Sequence, residues 1–161
     1  GLDYLQSLDF VDGERLAAMG HSLGGHNAMF LAALDERLNA AVCSCGWQPF
    51  WADDNPLRWA RDRWFIYMPR LRSIFLDGRE PPFHFRHLIA LIAPRAFLDL
   101  SGAGDTCFPH SDMCVHEVQR AAGIYRIHAA RDRLDFVFHD QGHSLPPIAW
   151  ERALHFLLTH T

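Results

Sequence analysis

The sequence predicts an α/β fold, a parallel sheet of about four strands flanked by helices, and three observations carry that reading. Short apolar runs recur at Leu16–Gly20, Leu38–Ser44, Ala96–Leu100 and Leu134–Phe138. Segments of helical period separate them, and the strand–helix–strand spacing is that of a right-handed βαβ unit. At 161 residues, 49% of them hydrophobic, the chain is the size of one domain, residues 1–161, with a real buried core. Repeats, low-complexity tracts and linkers are absent from it.

Taken in order, Gly1–Leu8 reads as a helical fragment with Leu2, Leu5 and Leu8 on one face, and Asp12-Gly13 turns the chain into the first strand. A helix through Ala28, Leu31 and Leu34 leads to the second strand. Residues 46–82 then break the rhythm with Trp47, Phe50, Trp51, Trp59, Trp64, Phe65, Tyr67 and Phe75 among many arginines. An excursion this long between sheet strands is the size of a cap or binding loop. Most of its aromatics should form a small core of their own, and Trp47, Trp51 and Trp64 are weak candidates for a substrate-pocket wall. Asn55-Pro56 predicts an N-cap and first helical position, with a helix that Pro69 ends and a second short helix before Asp77-Gly78. The regular pattern resumes with a helix near His84–Ile92. The third strand, the loop Ser101–Pro109 and a helix from Ser111 to Ala122 follow. The fourth strand, the loop His139–Pro146 and a helix over Pro147–Thr159 complete the chain.

Composition narrows the function classes. The net charge of −4 offers no basic footprint for nucleic acid. No apolar run approaches a membrane span and no signal-peptide pattern opens the chain, which favours a cytoplasmic protein that binds neither nucleic acid nor membrane. Cys43-x-Cys45 has no second close pair to complete a zinc site, so the cysteines read as buried thiols in a reducing compartment, and no metal or organic cofactor is expected.

The stretch that carries chemistry is Gly20-His21-Ser22-Leu23-Gly24-Gly25, set between the first strand and its helix. A glycine-flanked serine in that context is the pattern of a nucleophile elbow. Small neighbours let strand and helix pass closely, and the helix N-terminus turns amides toward a developing oxyanion, with Leu23 N–H as the candidate donor. A phosphate-binding loop would need Gly-Lys-Ser/Thr, and the chain contains no lysine.

A serine needs a base, and the base an orienting acid. In a parallel sheet the loops at the strands' carboxyl ends gather on one edge. Ser22 follows the first strand, Asp105 the third and His143 the fourth. Asp112 and Asp140 compete for the acid, but the first belongs near a helix start and the second in a turn. His139, His110, His21 and His26 compete for the base, and Gly142-His143, in a loop straight after a strand, is placed best.

Gly-His-Ser-Leu-Gly-Gly, Ile92-Ala93-Pro94-Arg95 before a strand, Gly102-Ala103-Gly104-Asp105 and Gly142-His143 together resemble the serine α/β-hydrolases related to dienelactone hydrolase and the acetyl xylan esterases. Prolyl-oligopeptidase-like hydrolases are similar in the same region. The resemblance implies a half-size α/β-hydrolase and a catalytic triad of Ser22, Asp105 and His143 that cleaves a small-molecule carboxylic ester through an acyl-enzyme, as a carboxylesterase or acetyl esterase does. A serine peptidase, or a truncated non-catalytic scaffold, is the alternative. In the full family four strands precede the elbow strand, and one of their loops gives the second oxyanion donor. The resemblance therefore also implies an open apolar edge at Leu16–Gly20, covered by a second copy in a homodimer or by an N-terminal half outside this chain.

Overall fold

In the computed structural model, which describes residues 1–161, four strands form one parallel sheet in the order β1 (Leu16–His21), β2 (Leu38–Ser44), β3 (Ala96–Gly102), β4 (Leu134–His139). Six α-helices accompany them: α1 (Leu2–Gln6), α2 (Leu23–Leu34), α3 (Arg72–Leu76), α4 (Phe85–Ile92), α5 (Cys114–Ile127) and α6 (Pro147–His160). All four expected strands are present, and β1, β3 and β4 each run one or two residues beyond their apolar cores. None of the helices is long and apolar enough to cross a membrane.

The two faces of the sheet follow from strand alternation. Ala41, Cys43 and Phe97 point into a cluster of 21 buried residues shared with α2, α4 and α5. Ala40, Val42, Ala96, Leu98 and Leu100 point the other way, onto Ala149, Ala153 and Phe156 of α6. Because α6 packs on β2 and β3, the outer strands are only partly covered, and β1 has a neighbour on one side alone.

The segment 46–82 departs from expectation. In place of a helix from Asn55 to Pro69 there is a single 3-10 turn, Pro56–Trp59, then an irregular stretch closed by an antiparallel bridge between Arg61 and Tyr67. The Asn55 side chain does not cap. Asp53 organises the turn instead, accepting from Asn55 N–H (2.9 Å), Arg58 Nε (2.7 Å) and Trp59 Nε1 (2.6 Å). Aromatic residues gain little from a helix and much from packing. Trp47, Phe50 and Trp59 accordingly join the main cluster rather than forming a separate core.

One buried acid stands on the crowded face of the sheet. Asp99, in β3, accepts from Trp47 Nε1 (2.6 Å) and Ser101 Oγ (2.6 Å), yet burial pushes its carboxyl up from 3.8 to about 6. Between those values the folded protein holds a proton that the unfolded chain has released, so stability falls as pH rises through that window. Asp99→Asn removes the effect. Its stability relative to the parent should rise from pH 4 to pH 7 by up to about 3 kcal/mol, read from urea unfolding at the two values. A difference independent of pH would refute this.

Candidate active site

Ser22 sits between β1 and α2 with φ 57° and ψ −124°, a region that side-chain-bearing residues rarely occupy. The conformation is held on both sides. Ser22 N–H donates to Ser44 O of the neighbouring strand (2.8 Å), and its own carbonyl accepts from His26 N–H (3.0 Å) as α2 begins. A Cβ on Gly20 would lie 2.2 Å from the Gly24 backbone, so only glycine lets strand and helix pass here. Gly24 itself is different: a Cβ there would meet nothing within 4 Å. The expectation that both motif glycines serve the strand–helix approach is thus corrected to Gly20, helped by Gly25.

The loops after β3 and β4 bring the other two groups to the serine. Asp105 is buried, and its Oδ1 accepts from the amides of Cys107 (2.7 Å) and Phe108 (2.8 Å). Its Oδ2 lies 2.7 Å from His143 Nδ1, and His143 Nε2 lies 2.9 Å from Ser22 Oγ. The pairing that satisfies every atom has Nδ1–H donating to the carboxylate and Nε2 accepting the serine hydroxyl. The two loops are also joined through backbone: Ala103 N–H donates to His139 O (2.7 Å) and Gly142 N–H to Ala103 O (3.1 Å). Gly102 makes room for this contact, since a Cβ there would stand 2.0 Å from Gly142 O.

Four of the rival residues are engaged elsewhere. His110 pairs with Asp54 (2.9 Å), Asp140 is exposed beside Gln141, and His139 accepts from the Gln141 amide (3.3 Å). His21 bonds Ser44 Oγ (3.0 Å) and packs its ring 4.9 Å from that of His143. Burial, with the adjacent His143, lowers its pKa and favours a neutral neighbour for the base. Cys43, Cys45 and Cys114 are buried, as expected, whereas Cys107, in the loop after β3, is exposed and corrects that expectation. Cys45 also underlies the site, its Sγ 3.5 Å from Ser144 O, and burial pushes its thiol up to about 11. A Cys45–Asp105–His143 group spans less than 4.8 Å, but a neutral thiol and an imidazole with both nitrogens engaged are poor metal ligands.

Ser22 and Leu23 open onto a cavity of about 320 Å³. Its aromatic walls are Trp59, Phe65, Tyr67 and Phe108, not the tryptophans singled out from sequence. Trp47 is fully buried because its indole N–H is drawn to Asp99. Trp51 turns away to donate to Glu117 (3.1 Å), and Trp64 is fully exposed. Phe108, three residues after Asp105, was within reach of sequence reasoning, since it shares the acid's loop. Leu23, 41% exposed, lies at the start of α2, where first-turn amides lack helical acceptors.

No family model matches the chain. It is similar to solved glucuronoyl esterases, among them one from Solibacter usitatus at 20% identity and TM-score 0.84, over 99% of this chain and 46% of that one. A promiscuous CE15 esterase from a marine bacterial metagenome aligns at 18% identity and TM-score 0.82, over 99% and 45%. The α/β-hydrolase GrgF from Penicillium sp. sh18 aligns at 12% identity and TM-score 0.62, over 99% and 68%. This is an α/β-hydrolase fold. Among curated proteins, the Bacillus subtilis (strain 168) protein named "Putative hydrolase YtaP" is 29% identical over 156 residues, 97% of this chain and 49% of that protein. The chain thus spans about half the length of the curated relative and of the glucuronoyl esterases it matches. Within the α/β-hydrolase fold, β1 with Ser22, β3 with Asp105 and β4 with His143 present their loops on one sheet edge.

Proposed function

We propose that this chain carries the nucleophile, base and acid of a carboxylic ester hydrolase that works through an acyl-enzyme. The observation that carries the reading is the unbroken series Ser22 Oγ–His143 Nε2 (2.9 Å) and His143 Nδ1–Asp105 Oδ2 (2.7 Å) opening on one cavity. Its similarity to esterases supports the same class. Ser22 Oγ attacks the ester carbonyl while His143 Nε2 takes its proton, and Asp105 stabilises the imidazolium that forms. Leu23 N–H donates to the oxyanion. The tetrahedral adduct collapses with cleavage of the ester C–O bond, and His143 gives the proton to the departing alcohol. Water then attacks the acyl-enzyme with His143 again as base, freeing the acid and Ser22. A cavity at the small end of ligand sites suits short acyl groups such as acetyl. A fluorophosphonate should label the chain at Ser22, read by peptide mass spectrometry. A folded chain that forms no adduct would overturn the assignment.

The free edge of β1 is the second element of the proposal: it pairs with a second copy of the chain. Ala17 is exposed, and an apolar groove beside it runs along Met19, Ala28, Phe30, Leu31 and Leu34. Gly24 faces the same groove with open space around it, and a helical glycine costs about 1 kcal/mol against alanine unless something approaches closely. Sedimentation should give about twice the 18.4 kDa chain mass, and Leu31→Arg should return it to one copy. A parent that sediments as a monomer would leave the edge to an N-terminal half of the fold and refute the dimer.

A further inference from the structure

Arg58 and Arg61 line the cavity beside Ser22, and no acidic side chain lines it with them. The two arginines differ in what each has left to offer a bound molecule. Arg58 is committed within the fold. Its Nε donates to Asp53 (2.7 Å), its Nη1 donates to the Cys107 carbonyl, and its Nη2 is buried out of reach of the cavity. Asp53, itself almost fully buried, balances the charge.

Arg61 is exposed and has no carboxylate partner, because the acids around it are taken: Asp53 by Arg58, and Asp62 by Arg72 (3.1 Å). It is nevertheless held in place. Its carbonyl accepts from Tyr67 N–H (3.0 Å) in the antiparallel bridge, which ties its backbone to a second residue of the cavity wall. Its Nε donates to Arg58 O (3.0 Å), and its guanidinium carbon lies 5.9 Å from the ring centroid of Phe65, another lining residue. These contacts leave Nη1 and Nη2 as donors with no acceptor in the protein.

A guanidinium anchored at Nε and along one face, with both terminal nitrogens open, suits an anion with paired acceptor oxygens. A neutral amide or hydroxyl can accept from it but leaves its charge unbalanced, and a cation is repelled. The chain as a whole carries a net charge of −4, which disfavours anions at a distance. Attraction of an anion to this cavity therefore has a local source. We propose that Arg61 is a specificity-determining residue that reads a carboxylate, and that the ester cleaved at Ser22 carries this carboxylate on its acyl or alcohol side, apart from the scissile bond. The proposal rests on the esterase reading and adds its substrate class. Arg61 stays clear of the reacting atoms, so its contribution belongs in KM.

The test compares esters that differ only in charge, on the full chain. For the alcohol side, γ-acetoxybutyrate is set against γ-acetoxybutyramide; for the acyl side, monomethyl glutarate is set against methyl glutaramate; acetylcholine supplies a cationic arm. The parent should prefer the carboxylate member of at least one pair by about fivefold in kcat/KM, chiefly through KM, and the preference should shrink between about 0.01 and about 1 M salt. Arg61→Gln should bring the ratio close to one, whereas Arg61→Lys, which keeps the charge and loses the fork, should keep about half of the preference. A parent that favours the amides or acetylcholine, a ratio that Arg61→Gln leaves at the parental value, or a lysine variant no different from the glutamine one would overturn the proposal. If no ester turns over and Ser22 takes no phosphonate, the esterase reading fails by itself. Binding then decides: calorimetry of the parent with γ-acetoxybutyrate should show binding that Arg61→Gln weakens about fivefold, and absence of binding refutes the carboxylate reading.

Discussion

Ser22→Ala should lower ester turnover by about 10⁵–10⁶-fold, to the level that binding and the oxyanion donor alone sustain. The size of the effect follows from the geometry, since Ser22 Oγ is the only hydroxyl within bonding distance of His143 Nε2. A companion variant separates chemistry from backbone strain. At φ 57° alanine is as strained as serine, whereas glycine is not. Ser22→Gly should therefore be as inactive as Ser22→Ala yet more stable by about 1 kcal/mol in chemical denaturation. Turnover that survives both changes would mean that another group is the nucleophile.

Asp105→Asn should cost about 10⁴-fold in kcat while leaving the fold in place. The carboxylate has two tasks: Oδ1 holds the amides of Cys107 and Phe108, and Oδ2 holds His143. An asparagine that keeps its oxygen on the two amides must turn its NH₂ toward His143 Nδ1. That places the imidazole proton on Nε2, where it faces Ser22 and cannot accept. The variant should consequently lose its reaction with phosphonate along with its turnover, and its unfolding midpoint should change little. A loss smaller than tenfold would point to another acid.

How much of this was legible in the sequence depended on how far apart the deciding residues lie. The strands and the positions of Ser22, Asp105 and His143 were readable because apolar runs, glycines and chain order are local signals, and a parallel sheet sends its carboxyl-end loops to one edge. The segment 46–82 was not. Its turn is made by Asp53 and by packing against Phe85 and Phe108, and Asn55-Pro56 carries no trace of that. Trp47, Trp51 and Trp64 were chosen by residue type and failed for the same reason. The first two are claimed by Asp99 and Glu117, which lie 52 and 66 residues away in the chain. That His26, Arg58 and Tyr67 each bury one polar atom without a partner was beyond any sequence pattern, because burial is a property of the assembled fold.

The backbone joint between the loops after β3 and β4 has a consequence for how the protein fails. β4 is an outer strand, bonded only to β3, and the base hangs from its end. Outer strands are where local opening starts, at a free energy well below that of global unfolding. Once β4 frays, the bonds from Ala103 and Gly142 part, and His143 leaves Asp105 while the rest of the core is still intact. Heat should therefore silence the site while the helical circular-dichroism signal is still near its native value, and cooling should restore it. Activity thus reports on the sheet's margin, not on its centre.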